Sequence, residues 1–200
     1  MNLRPPLFAL AFAGLACAVA PAWAADPAAA RVDSLDAALL ATMKAGPSLG
    51  SKGRFRKLEP VMAEVFDLPL MTRFAVGPAW SGMTLADRQA LVRAFSRLTA
   101  ANYAANFDRF AGEKFVVKPD VEVRGPDRIV QSQLMANGRA PVNLVYRMRQ
   151  GGGGWKIVDV YFDGVSQLTT RRSDFAGPLA AGGAKALEAH IDAAVDRLLK

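Results

Sequence analysis

The amino-acid sequence predicts an α+β fold in which a curved antiparallel sheet of about four strands packs under helices from both ends of the chain. Three observations carry this prediction. Upstream of Gly112 the apolar residues recur every three or four positions, downstream of it they alternate, and the chain closes on two further helical segments. Helices first and hairpin-connected strands second is the order of an α+β domain, and residues 25–200 suffice for one such domain with its own core.

The first residues set the expected compartment. Arg4 precedes an apolar run over residues 7–20, and Ala22-Trp23-Ala24 reads as a small-x-small cleavage site. That is the pattern of a secretory signal peptide over residues 1–24, cleaved near Ala24, and its apolar run is short for a membrane span. Cys17, the one cysteine, falls inside it, so the exported chain would contain neither disulfide nor thiolate. Loss of Arg4 lowers the formal charge of +7 by one. In an exported protein a basic surface points to anionic lipid headgroups or acidic partner proteins before nucleic acid, and a basic bias that serves only solubility is the alternative.

The elements follow in order. Residues 25–30 form a small-residue leader before Asp33 or Ser34 caps a helix over residues 35–44, which the Gly-Pro-Ser-Leu-Gly-Ser run at 46–51 ends. Phe55, Leu58, Met62, Val65 and Phe66 make a second helical stripe. Asp67 and Pro69 start a short third helix carrying Leu70, Met71 and Phe74, which Gly77-Pro78 stops. A long helix over residues 84–110 opens on Thr84 with Asp87 three positions on, and Val92, Phe95, Thr99, Tyr103, Phe107 and Phe110 form its stripe.

Strands are expected over residues 115–123, 128–136, 141–149 and 155–162. Pro119 marks the first as an edge or bulged strand, and Asn137-Gly138 favours a tight hairpin. Closing helices are expected over 168–180 and 184–199. Val142, Leu144, Tyr146 and Met148, with Val158, Val160 and Phe162, share the concave face, which the long helix would cover. Pattern alone leaves that face as a packed core or a cavity, and filled interiors are the rule.

Candidate chemistry is sparse. The single His190 has no second histidine or cysteine to share a metal, no Gly-rich phosphate loop is followed by Lys-Ser or Lys-Thr, and no G-x-S-x-G elbow appears. No catalytic residue, metal or cofactor is assigned. Asp159, placed by alternation on one face with Trp155, Ile157 and Tyr161, is either a base of raised pKa or a structural acid paired with Arg171 or Arg172. The structural role is the one expected. Gly164-Val165-Ser166 reads as a turn out of the last strand, with Ser166 capping the next helix.

Trp155-Lys156-Ile157-Val158-Asp159, Asp163-Gly164-Val165-Ser166 and Arg172-Ser173-Asp174-Phe175 together resemble the W-x-x-x-D, acidic-G-V-S and R-S-x-F run of the MlaC, or toluene-tolerance, family of periplasmic lipid-binding proteins. The stretch over residues 66–80 (FDLPLMTRFAVGPAW), the residues around Gln89, Phe95, Tyr103 and Gly112, and the 137–142 hairpin extend the likeness across residues 54–179. Val76-Gly77-Pro78-Ala79-Trp80, Asn106-Phe107-Asp108 and the Arg172–Phe175 run are similar to the hopanoid-biosynthesis-associated HpnM branch.

The resemblance implies an NTF2-like cone with an apolar cavity, and a phospholipid or hopanoid as ligand. It also implies an inner-membrane MCE-domain or other lipid transporter as partner, possible exchange with an outer-membrane lipoprotein, and a place in outer-membrane lipid asymmetry. On that reading Leu70, Phe74, Tyr103, Phe107, Leu144, Tyr146, Val158, Val160 and Phe162 hold the lipid tails, while Trp155, Asp159, Gly164, Ser166, Arg172 and Phe175 form the structural motif. The alternatives are an NTF2-like enzyme using Asp159 as base, and a non-lipid adaptor of a membrane transporter.

Overall fold

The computed structural model describes residues 26–200, so the expected signal peptide and Cys17 lie outside the described residues. Among the described residues five α-helices, two short 3₁₀ helices and six strands follow one another, helices first, strands second and a closing helix last.

Helix α1 (Pro27–Ala45) starts ahead of its predicted position. Asp26 accepts from the Ala28 amide at 2.7 Å and Pro27 opens the first turn, so the supposed leader is helical from Pro27 on and buries Ala28 and Ala29. Helix α2 (Gly50–Val65) presents Leu58, Met62 and Val65 to the core. Helix α3 (Leu68–Val76) is capped by Asp67, whose side chain accepts from the Leu70 amide. It ends at Gly77, whose φ of +70° favours a residue without a Cβ. The long helix α4 (Leu85–Asn106) has the predicted Thr84 cap but ends before Phe110, which is 41% exposed.

The sheet is open and antiparallel, in the order β1-β3-β4-β5-β6, with β2 also on β3. It has six strands where about four were expected. The stretch around Pro119 divides into β1 (Lys114–Val117) and β2 (Glu122–Arg124), since proline cannot donate to a ladder. A short β6 (Val165–Ser166) follows the Asp163-Gly164 turn. The main strands are β3 (Asp127–Met135), β4 (Val142–Gly151) and β5 (Gly154–Phe162).

Asn137-Gly138 does not form a two-residue hairpin: the β3/β4 ladder starts at Leu134 opposite Val142, and residues 136–141 form a wider loop. The tight turns are at Gly125-Pro126 and Gly152-Gly153, between the pairs Arg124–Asp127 and Gly151–Gly154.

Strand β5 departs from simple alternation. Tyr146 faces Val160 and Arg147 faces Asp159, but Met148 faces Ile157, so Val158 is the extra residue of a bulge. The bulge moves Ile157 to the concave face with Val160 and Phe162, and takes Val158 off it. The Ile157 carbonyl accepts from the Asp67 amide at 2.9 Å, which ties the α2/α3 junction to the sheet.

Helix α5 (Gln167–Leu198) contains the two closing helices, separated by non-helical dihedrals at Gly182 and Gly183. Its first half packs Phe175 edge-on against Phe95 of α4. Leu187, Ile191 and Val195 bury its second half.

Candidate lipid-binding cavity

The core between sheet and helices is incompletely filled. A cavity of about 430 Å³ lies between the concave face and α4. Leu134, Val142, Leu144, Tyr146, Val160 and Phe162 form its sheet wall. These positions face one another across the ladders, Leu134 opposite Val142, Leu144 opposite Phe162 and Tyr146 opposite Val160, as strand pleating requires.

The helical wall comes from Phe95, Thr99, Asn102, Tyr103, Asn106 and Phe107, which lie at the three- and four-residue steps of one side of α4 and its C-cap. Phe66 stands edge-on to Tyr103 at 5.7 Å, Tyr103 stacks on Phe107 at 5.7 Å, and Phe107 meets Phe115 of β1 at 6.0 Å. Gln167, Leu168 and Arg171 of α5 complete the lining, with Arg171 paired to Asp174 at 3.3 Å.

Six of the nine expected tail-contacting residues meet in this cavity: Tyr103, Phe107, Leu144, Tyr146, Val160 and Phe162. Three do not. Leu70 and Phe74 lie on the part of α3 turned from the cavity, Phe74 being 44% exposed, and Met71 is the α3 residue in the wall. Val158 is buried but sits at the bulge, outside the cavity lining. Phe66, Phe95, Leu134 and Val142 were not singled out as ligand contacts. For Phe95 and Val142 the stripe and the alternation were the available signals, and Leu134 follows from its pairing to Val142.

The motif residues sit beside the cavity and shape it. Asp159, 6% exposed, accepts from Ser166 Oγ at 2.7 Å, the Leu168 amide at 3.1 Å and the Val160 amide at 2.8 Å. It therefore fastens the start of α5 to β5, and neither expected cation is its partner among the described residues: Arg171 pairs with Asp174, while Arg172 lies over Gly77, where a Cβ would be 3.1 Å from its guanidinium. Ser166 caps α5 by accepting from the Thr169 amide, and Gly164 has φ +86°. Trp155 takes Arg128 over its ring at 5.1 Å, and Phe175 is in the core.

Burial acts on two acids in the same direction, but their partners leave them shifted in opposite ones. Burial pushes Asp127 up, but hydrogen bonds from Arg149 and Arg147, at 2.6 and 2.5 Å, outweigh it and hold the carboxyl below its usual range. Burial raises Asp36, behind the cavity wall, to about 7; the hydrogen bond from Ser132 opposes this, the Asp33 charge adds to it, and the Tyr146 phenol opposes it. Burial also raises the Tyr103 and Tyr146 phenols. Among the described residues no group of three or more His, Cys, Asp or Glu side chains is arranged to hold a metal. A concave, largely apolar surface of this kind selects ligands by desolvation and shape.

Comparison with known proteins gives one consistent result. A family model described as MlaC protein matches residues 33–193. The intermembrane phospholipid transport system binding protein MlaC of Haemophilus influenzae is 25% identical over 109 residues, covering 52% of this chain and 50% of that protein, so the chain spans about half the length of this curated relative. A phospholipid-binding protein from Ralstonia solanacearum, solved in complex with a phospholipid, superposes with a TM-score of 0.76 at 26% identity. That alignment covers 88% of this chain and all of that one. With a family model matched across most of its length and the same fold in a solved neighbour, the chain belongs to the MlaC family.

Proposed function

We propose that this protein is a periplasmic carrier that binds a phospholipid non-covalently and moves it between membranes. The observation that carries the reading is the unfilled apolar cavity of about 430 Å³ between the β4/β5 face and α4. Its volume falls within the roughly 300–1,000 Å³ of small-molecule sites. Exposing a lipid tail to water costs about 0.8 kcal/mol per CH₂, and an apolar cavity of this kind offsets that cost during transfer with no need of a metal or cofactor. The Ralstonia solanacearum neighbour, solved with a phospholipid, and the name of the Haemophilus influenzae relative point to the same ligand class.

Export by the 1–24 signal peptide fits this role, and no helix among the described residues is long and apolar enough to cross a membrane. The carrier would receive or deliver lipid at an inner-membrane MCE-domain or equivalent transporter and exchange it with an outer-membrane lipoprotein. A hopanoid is the alternative cargo, suggested by the Val76–Trp80 and Arg172–Phe175 runs. The three hydrogen bonds Asp159 accepts fit a structural acid better than a base.

The experiment is solvent extraction of the protein purified from the periplasm, followed by mass spectrometry. Stoichiometric phospholipid is the expected result. A polycyclic lipid would move the cargo to the hopanoid class, and protein that holds no lipid after incubation with phospholipid vesicles would refute the carrier reading.

A further inference from the structure

The lining of the cavity runs from closed to open. Phe66 and Tyr146 are each 1% exposed, whereas Phe162 is 48% exposed, the Arg171 side chain 31%, and Asn106 and Gln167 are exposed. Asn106 ends α4, Phe162 ends β5, and Gln167 and Arg171 stand near the start of α5, so the mouth lies where these elements meet.

Arg171 is the one side chain with a formal charge in the lining among the described residues. The neutral Thr99, Asn102 and Gln167 side chains donate to the carbonyls of Phe95, Leu98 and Val165, at 2.9, 2.8 and 3.3 Å. The guanidinium has N–H donors beyond those its neighbours use: its ion pair is to Asp174 Oδ2, 3.3 Å from Nη1, between two partly exposed side chains. Surface pairs of this kind contribute little, so an anion of better geometry competes with Asp174. Arg171 also lines a second cleft, of about 280 Å³, between α4 and the second half of α5, where Asp174 and Arg197 bring one charge of each sign. Its guanidinium therefore stands at the boundary between the apolar cavity and a polar surface.

A lipid inserted tails-first has its phosphodiester at such a boundary, since the tails gain from burial and the charged group does not. A planar guanidinium matches phosphate oxygens bidentately, and no carboxylate lines the cavity to repel them. We propose that Arg171 is a specificity-determining residue of the cavity: its guanidinium takes the phosphate of the bound lipid at the mouth and selects phosphate-bearing lipids over neutral ones with the same tails. The proposal rests on the carrier reading above.

The test uses the full exported chain, delipidated and incubated with vesicles of equal parts phosphatidylglycerol and digalactosyldiacylglycerol with the same tails. Bound lipid is extracted and quantified by mass spectrometry. Wild type should take phosphatidylglycerol in roughly tenfold excess or more, the factor that about 1.4 kcal/mol gives. Arg171→Gln should bring the two lipids close to parity. Arg171→Lys, which keeps the charge but not the planar fork, should fall between, and decides the matter should the glutamine variant not fold. Arg93→Gln, an equal loss of charge at an exposed α4 residue outside the lining, should keep the wild-type preference.

Calorimetric titration with inorganic phosphate separates a lipid phosphate from the free ion. Lipid-loaded protein should show no Arg171-dependent uptake; such uptake would mean that the lipid does not hold the guanidinium, and would overturn the assignment. Parity in the wild type, an undiminished preference in either Arg171 variant, or an equal loss in Arg93→Gln would also overturn it while leaving the carrier reading intact. Wild-type protein that takes up neither lipid would defeat the carrier reading, and this inference with it.

Discussion

Replacing Asp159 by alanine removes the acceptor that joins the last long strand to the closing helix. Two of its hydrogen bonds cross between elements, from Ser166 Oγ at 2.7 Å and from the Leu168 amide at 3.1 Å, and both reach a carboxylate that is 6% exposed. Hydrogen bonds to charged groups contribute roughly 1.5–3 kcal/mol each. The anion also lies at the N-terminus of α5, where the helix dipole favours negative charge.

Because Ser166 can turn to solvent in the variant, the lower end applies, and Asp159→Ala should cost about 3 kcal/mol. For a domain of this size that is a Tm drop of roughly 6–12 °C. Asp159→Asn keeps one acceptor oxygen for the Leu168 amide and should lose about half as much. Thermal and urea unfolding of delipidated protein measure both, and a double-mutant cycle with Ser166→Ala should give a coupling of about 1 kcal/mol. An Asp159→Ala protein within 1 kcal/mol of wild type, or a cycle with no coupling, would refute the clasp. A stable variant that had lost a chemical activity would return Asp159 to the role of base.

The two perturbed acids give stability profiles of opposite sign. Asp36 has its folded pKa raised from 3.8 to about 7, so the stability it contributes is present below pH 3.8 and is lost as pH rises towards 7. The loss is on the order of 4 kcal/mol, and Asp36→Asn should flatten that part of the lipid-free protein's urea-unfolding profile. Asp127 has its folded pKa lowered by Arg149 and Arg147, so its contribution is present above the ordinary carboxylate range and is lost as pH falls through the lowered value. Asp127→Asn should therefore weaken the protein at neutral pH and make little difference in strong acid, measured in the same way. At Gly77, with φ +70° and the Arg172 guanidinium 3.1 Å from a built Cβ, alanine should cost about 1–3 kcal/mol in thermal unfolding; an unchanged Tm would show that the contact yields freely.

Much of this fold was legible because local signals agreed with the global answer. Thr84, Asp67 and Ser166 each accept from a backbone amide at the start of the predicted helix, and Gly182-Gly183 separates the two closing helices. The early start of α1 was missed because Ala28, Ala29 and Ala30 show no apolar period, although Asp26-Pro27 is a sound cap and first-turn pair. The bulge at Val158 was not legible. Ile157 and Val158 are both apolar and both buried, and only the pairing of β5 to Arg147 and Met148 decides which one stands opposite Met148.

The same partner-dependence separated Met71 from Leu70 and Phe74 on α3, since a short apolar helix offers several candidate faces. Asp36 gave no signal because its hydrogen-bond partner, Ser132, is brought to it by the sheet from a distant part of the chain.

The central claim, that the space under α4 exists to hold a lipid, is tested most directly by filling it. Leu144 is in the sheet wall opposite Phe162, and its side chain borders the cavity of about 430 Å³. Leu144→Trp should place the indole in that space, leave the Tm of delipidated protein near wild type and sharply lower the phospholipid recovered per mole of protein. Were the face a packed core, the same insertion would overpack it and cost about 1–3 kcal/mol. A strongly destabilised Leu144→Trp protein, or one of normal stability that still recovers a full complement of phospholipid, would contradict the account.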